Sequence, residues 1–287
     1  MRTFVIGIAQ RARSLEPGFI VVPQNGEELF TYGGDPDGKP AWTYLDAIDG
    51  IGREDLFFGY TGDGEPTSTD VRERMIRFLD LAEENGVEAL VIDYCSAHAD
   101  IDYSYSANSS RGYISFAAPS RELDLIPDYP PHPFDLNGDN VDSLSQAANF
   151  LYLINPERFA DRNSFLAALR GTDYDLLIID FDLKGEELNA EEVSSLKRKA
   201  NGGRRLVLCY LSIGEAEDYR SYWAPNWTDD PPDWLCRENP DWPGDYKVRY
   251  WDPEWQAIIF AVIERIVASG FDGVYLDLVD AYEYFEE

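Results

Sequence analysis

Histidine is nearly absent from this chain of 287 residues; His98 and His132 are the only two. A Ser–His–Asp triad or a His-rich metal centre therefore has little to be built from. Basic charge is also scarce. Lysine and arginine together number 24 against 54 acids, and only Lys39, Lys184, Lys197, Lys199 and Lys247 are lysines. A phosphate backbone needs a basic face, so nucleic acid is not an expected partner. Cysteine is limited to Cys95, Cys209 and Cys236, an odd number without metal spacing, and no disulfide framework is expected. Cys95 and Cys209 adjoin or sit in apolar runs and read as buried thiols. No apolar run approaches the roughly 20 residues that span a bilayer, so no membrane partner is expected. The start, MRTFVIGIAQRARS, is too short and polar for a secretory signal and reads as an amphipathic helix. Gly171, Gly202 and Gly203 make no phosphate-binding pattern, and no cofactor is expected.

What remains is an acidic, well-filled chain. The net charge is −30, and 44% of residues are hydrophobic, which excludes a disordered polymer. An acidic cleft concentrates a cationic substrate. A lysine-poor acid excess also fits general surface adaptation to a salty cytoplasm.

The most informative stretch is Arg205 to Arg220. Leu206-Val207-Leu208-Cys209-Tyr210-Leu211 has the character of a buried parallel strand, and it breaks at Ser212 and Gly214 into Glu215, Glu217 and Asp218. The pattern recurs: Leu176–Ile179 ends at Asp180, Gly273–Leu276 at Asp277, and Ala89–Ile92 at Asp93. Strands covered on both faces hide unpaired carboxylates only at high cost, so several such acids are economical if they converge on one polar mouth. The alternative is that the acids simply open solvated helices, where the dipole favours them.

Helices are expected over 2–13, 70–85, 157–170, 189–200 and 254–269. Strands are expected over 19–22, 47–51, 88–93, 112–117, 149–154, 175–180, 205–211 and 271–279. Residues 94–111 read as a Tyr-Ser-rich loop, and 124–147, with Pro127, Pro130, Pro131 and Pro133, as a linker. Its Asp135–Asn140 stretch has a partial calcium-loop pattern, but Asn140 and Gln146 replace the expected Gly and Glu. About eight strand–helix units is the arithmetic of an α/β, (β/α)8 TIM barrel.

The stretches Leu211–Arg220, Asn239-Pro240-Asp241-Trp242-Pro243-Gly244, Tyr250-Trp251-Asp252 and Gly270–Asp277 resemble glycoside hydrolase family 114. Within it they resemble the branch once labelled cysteinyl-tRNA synthetase-related, although neither synthetase signature, HIGH or KMSKS, is present. Pro23–Glu27, Gly50–Asp55 and Val91–Tyr94 also resemble the family, but there they follow the Gly270–Asp277 motif, whereas here they precede it. The resemblance thus implies a circularly permuted TIM barrel in a single domain. Residues 1–123 would carry strands five to eight, 124–147 the connector, and 148–287 strands one to four. It implies an endo-acting hydrolase of α-1,4-linked galactosamine-type polysaccharide, with a polysaccharide or amino-sugar oligomer as partner; family members are often exported. A monomer is expected.

Glycoside hydrolysis ordinarily uses two carboxylates flanking one bond. Asp180, Glu215 and Asp277, ending neighbouring strands of such a barrel, are the candidate catalytic acids, with Glu217 in reserve. Gln24, Asn25, Glu54, Asp93, Tyr210, Glu217, Arg220, Trp223 and Tyr275 are candidate substrate contacts. Six of the seven tryptophans fall between 223 and 255, where one or two are expected as sugar platforms. The family tends to have a glutamate at the position of Tyr275. Its absence leaves open a carbohydrate-binding barrel without catalysis. A metal-dependent hydrolase holding its ion through Asp93, Asp180 and Asp277 is a third alternative.

Overall fold

The apolar runs pair side by side, as expected of strands with no polar face to offer water. The computed structural model describes residues 1–183 and 185–286. Its parallel strands are β1 (Ile20–Pro23), β2 (Gly50–Glu54), β3 (Glu88–Tyr94), β4 (Ile114–Ala118), β5 (Phe150–Leu153), β6 (Leu176–Asp180), β7 (Leu206–Ser212) and β8 (Gly273–Asp277). The longer helices are α1 (Arg2–Leu15), α2 (Thr69–Glu83), α3 (His98–Ser109), α4 (Arg162–Arg170), α5 (Ala190–Leu196) and α6 (Pro253–Ala268).

Two parallel sheets result, with orders β1-β8-β7-β6-β5 and β2-β3-β4. The register sets Gly273 between Ile20 and Leu208, and Leu176 between Leu206 and Phe150. The sheets meet at a parallel bridge between Gln24 and Gly52, where the Asn25 amide donates to the Gly52 carbonyl at 2.7 Å. On the far side β4 lies against β5, with the Phe116 and Phe150 rings 5.8 Å apart. Just beyond, the Ile154 and Asn155 amides both donate to the Leu123 carbonyl. Among the described residues no hydrogen-bonded ladder joins β4 to β5. The fold is mixed α/β built on these parallel sheets.

The helices follow ordinary sequence logic. Asp161 and Asn189 close capping boxes at the starts of α4 and α5, and Asp252 caps α6 with Pro253 in its first turn. In α1 the residues Phe4, Val5, Ile8, Ala9 and Ala12 face the core. No helix among the described residues is long and apolar enough to cross a membrane. Cys95 and Cys209 are buried and free.

Two expectations need correction. Residues 98–109 form α3 rather than a loop. Its buried positions, Ile101, Ser104, Tyr105 and Asn108, have helical spacing, but two are polar, so the period carries no hydrophobic signal. The second strand runs Gly50–Glu54 instead of 47–51. Asp49, just ahead of it, is spent on the Val21 amide and on Arg13.

The connector is anchored. Asn137 donates to Asp175 at 2.8 Å and accepts from Lys199 at 3.0 Å, while Lys199 and Asp175 pair at 2.7 Å with both side chains 0% exposed. The Arg204 amide donates to Asn140, and Val141 to the Arg204 carbonyl. The Asp135–Asn140 stretch is therefore a docking loop against the start of β6.

Candidate active site

The parallel strands deliver their C-terminal ends to one cavity of about 380 Å³. Asp180 ends β6, Asp277 ends β8 and Glu54 ends β2, and Gln24 and Asn25 directly follow β1; all five line it. Glu215 and Glu217 reach it from a short strand beyond β7, which pairs with Asp245–Val248 in a small antiparallel sheet. Gly214 permits this approach. A Cβ there would lie 2.4 Å from the Leu278 carbonyl oxygen and 2.5 Å from the Ala281 Cβ, so a side chain would push the Glu215 segment off the end of β8.

Three non-glycine residues at these strand ends adopt left-handed backbone: Asn25 (φ 57°), Asp55 (φ 62°) and Leu278 (φ 57°). Each such conformation costs of order 1–3 kcal/mol and persists where surrounding contacts over-determine it. At Asn25 those contacts are visible. Its amide group donates to Glu54 Oε2 at 2.9 Å, and its Oδ1 accepts from the Glu54 backbone at 3.2 Å. Tyr94 donates its hydroxyl proton to the other oxygen of Glu54.

The acids have distinct surroundings. Asp277 accepts from the Tyr210 hydroxyl and from the Leu278 amide, both at 2.7 Å. Burial, then the negative charge of Glu54, pushes its carboxyl up to about 7, against the pull of those two donors. Glu215 pairs with Lys247 at 2.5 Å and accepts from Asn239 at 2.9 Å, both through Oε1. Asp180 is gripped by both terminal nitrogens of Arg220, which also binds Glu217, and its Oδ1 accepts from the Asp182 amide. Burial pushes Asp180 upward and Arg220 pulls it back. Burial opposes the charge on Arg220, but Asp180 and Glu217 outweigh it and hold the guanidinium firmly protonated. Asp245 faces Glu217 across the small sheet; burial, with Glu217 and Glu215 beside it, raises it to about 8.

The candidates thus divide. Gln24, Asn25, Glu54, Asp180, Tyr210, Glu215, Glu217 and Asp277 share the cavity. Four others do not line it. Asp93 is 0% exposed and serves as an internal acceptor for the Phe57 and Phe58 amides, Ser104 and Asn108. That position also separates it from the acids of the metal alternative; among the described residues no three or more His, Cys, Asp or Glu are grouped to hold an ion. Arg220 is buried behind the acids it clamps. Trp223 packs on Trp227 and Tyr246, with ring centroids 5.2 and 4.9 Å away, inside the aromatic core of its own excursion. Tyr275 is fully buried, its hydroxyl without a partner, in space that exists because residue 52 is glycine; a Cβ on Gly52 would lie 1.8 Å from that hydroxyl oxygen.

Several cavity residues gave no signal of their own in the sequence. Arg121 stacks on Tyr94 at 4.0 Å and pairs with Asp55 and Asp63. Tyr152 donates to Gln24 at 2.9 Å from the floor of the site. Asn239 and Trp242 lie in a motif already singled out, but Asp245, and Lys247 as the partner of Glu215, become visible only once the small sheet is formed.

Residues 140–287 match the model of the glycoside-hydrolase family GH114. The chain belongs to that family. It is also similar to uncharacterized proteins of three organisms. One, from Methanocaldococcus jannaschii, is 39% identical over 154 residues, which cover 53% of this chain and 43% of the relative. One from Deinococcus radiodurans is 50% identical over 119 residues, covering 41% and 37%. One from Thermotoga maritima is 35% identical over 126 residues, covering 44% and 39%. The chain spans less than half the length of each of these relatives. The GH114 match contains Asp180, Glu215 and Asp277, whereas Gln24, Asn25 and Glu54 lie outside it and still complete the same cavity.

Proposed function

We propose that this GH114 chain hydrolyses glycosidic bonds of an α-1,4-linked galactosamine-type polymer, with Asp277 as proton donor and Glu215 as the partner carboxylate. The observation that carries the reading is Asp277 itself. It is a strand-end carboxyl on the cavity wall, held by Tyr210, whose proton leaves only near pH 7. A group poised there can protonate a departing glycosidic oxygen at neutral pH. Glu215 has both of its contacts on one oxygen, which leaves the other for the anomeric carbon or for an attacking water. Asp180 suits that role less well, because Arg220 and the Asp182 amide already occupy its oxygens. The acid-rich lining supports a substrate bearing ammonium groups.

The fold we infer for this chemistry is a single eight-stranded barrel in permuted order. Three features support it: β8 pairs with β1, the two sheets are bridged at Gln24–Gly52, and β4 lies against β5 on the other side. One observation favours a second reading, a binding barrel without catalysis. Tyr275, where the family tends to have glutamate, is sealed beneath the site.

The test is incubation with galactosamine oligomers and their N-acetylated forms, with and without chelator. Chelator-insensitive cleavage is expected, with kcat reduced by about 10²–10⁴ in Asp277→Asn. The wild-type rate should fall as pH rises through 7, since the donor must carry its proton. Binding without products would favour the second reading. Full activity in both Asp277→Asn and Glu215→Gln would move the chemistry to other residues.

A further inference from the structure

We propose that Trp242 and Tyr219 form a second sugar subsite beside the reacting carboxylates, one that takes a neighbouring pyranose ring of an oligosaccharide. The proposal rests on the glycosidase reading and specifies how much of a chain the cavity grips.

The tryptophans around Trp242 are already used. Trp223, Trp227, Trp234 and Trp255 pack in a continuous column with ring centroids 5.0–5.2 Å apart at each step. Trp251 is as exposed as Trp242 but packs edge-on against Phe285 at 4.7 Å and does not line the cavity. Trp242 differs: it lines the cavity and is 47% exposed, and Tyr219, on the same lining, is 55% exposed. Large aromatic faces left to water in a polar cavity are suited to the C–H face of a pyranose, which covers the ring while its hydroxyls reach the surrounding acceptors.

The turn that bears Trp242 and the Tyr219 ring are held in place before any ligand arrives. The turn bearing Trp242 is closed by the Asp245 amide donating to the Trp242 carbonyl at 3.1 Å. Gly244, at φ +97°, donates to Glu238 at 2.9 Å and accepts from the Asp218 amide at 2.9 Å. A side chain there would be strained by that φ and would press on Asp218. Tyr219 donates its hydroxyl proton to Glu217 at 2.6 Å, with the Arg220 guanidinium 5.2 Å from its ring.

Asn239 ties this platform to the chemistry. Its Oδ1 accepts from the Asp241 amide at 3.1 Å while its Nδ2 donates to Glu215 at 2.9 Å, so one side chain braces both the Trp242 turn and the partner carboxylate. A ring stacked on Trp242 is thereby held in a fixed relation to Glu215. This is the arrangement needed to position a polymer for cleavage within its length.

The experiment is equilibrium titration of the full chain carrying Asp277→Asn, which blocks turnover. Probes are galactosamine, its di- and tetrasaccharide, the N-acetylated tetrasaccharide and cellotetraose, followed by tryptophan emission and calorimetry. Affinity should rise with galactosamine chain length, with quenching of emission. Trp242→Ala in the same background should weaken tetrasaccharide binding about tenfold and remove most of the quench. Trp242→Phe, which keeps a ring, should retain most of the affinity, and circular dichroism confirms that each variant is folded. If a folded Trp242→Ala variant keeps both affinity and quench, the subsite is overturned and the galactosamine reading stands. If cellotetraose alone binds, and Trp242→Ala loses it, the subsite is supported and the galactosamine reading falls. If no probe binds, the subsite is overturned.

Discussion

Burial and the charge on Glu54 both oppose ionisation of Asp277, and together they lift its folded-state pKa to about 7, against about 3.9 in an unfolded chain. Between those values the folded protein keeps a proton that the unfolded chain has released. The stability this contributes is fully present below pH 4 and is lost as pH rises through 7. Asp280, raised to about 6, and Asp245, raised to about 8, act with the same sign. Asp277→Asn cannot ionise, so we expect it to melt within a degree or so of wild type at pH 4 and about 5–8 °C higher at pH 8, while losing activity. Melts at half-unit intervals decide this; a gain independent of pH would show that ionisation is not its source. Asp277 was legible in the sequence because it ends an apolar strand, but Asp93 obeys the same rule and has a different fate. What separates them is Ser104 and Asn108, which reach back from α3 to satisfy Asp93. A strand-end acid declares that it needs partners, and the sequence does not tell whether those come from the protein or from a substrate.

At the level of elements, strands whose faces are all buried read clearly, because nothing but a covered sheet suits a run such as Leu206–Leu211. The polar elements did not. The helix α3 has its period written in Ser and Asn, and the sheet of Glu215–Glu217, Leu235–Glu238 and Asp245–Val248 is built from acids and aromatics in a segment dense with proline. The anchoring of the connector was not legible either: its proline and asparagine content describes local turns, whereas its position depends on Lys199 and Asp175, more than thirty residues downstream. Removing one charge of that dry pair leaves the other without compensation. Lys199→Met is therefore expected to cost about 3–5 kcal/mol in urea unfolding. The double change Lys199→Met with Asp175→Asn should recover part of that loss. If the single variant is as stable as wild type, the connector is not anchored by this pair.

Across the whole molecule, the acid excess of 30 charges sets a self-repulsion that no single contact offsets. Most of the described ion pairs employ arginine, and several are half exposed, so added salt weakens those pairs while screening the larger repulsion. If the excess is a surface adaptation, the melting temperature should climb steadily between 0.1 M and 2 M salt; a flat profile would locate the excess in the cavity. The family and its parallel α/β framework were legible because strand-end motifs such as Gly270–Asp277 stand intact in the sequence. The meeting of the two parallel sheets was not, since it depends on the single bridge from Gln24 to Gly52. The pairing of β1 with β8 has a further consequence for how the protein comes into being. Ile20 and Gly273 are neighbours across about 250 residues of chain, so on the ribosome the first strand is made long before one of its two flanking strands exists. Until then its backbone groups on that side have only water or a chaperone for company. Sheet completion becomes a late event whose loop-closure cost falls after most of the chain has emerged.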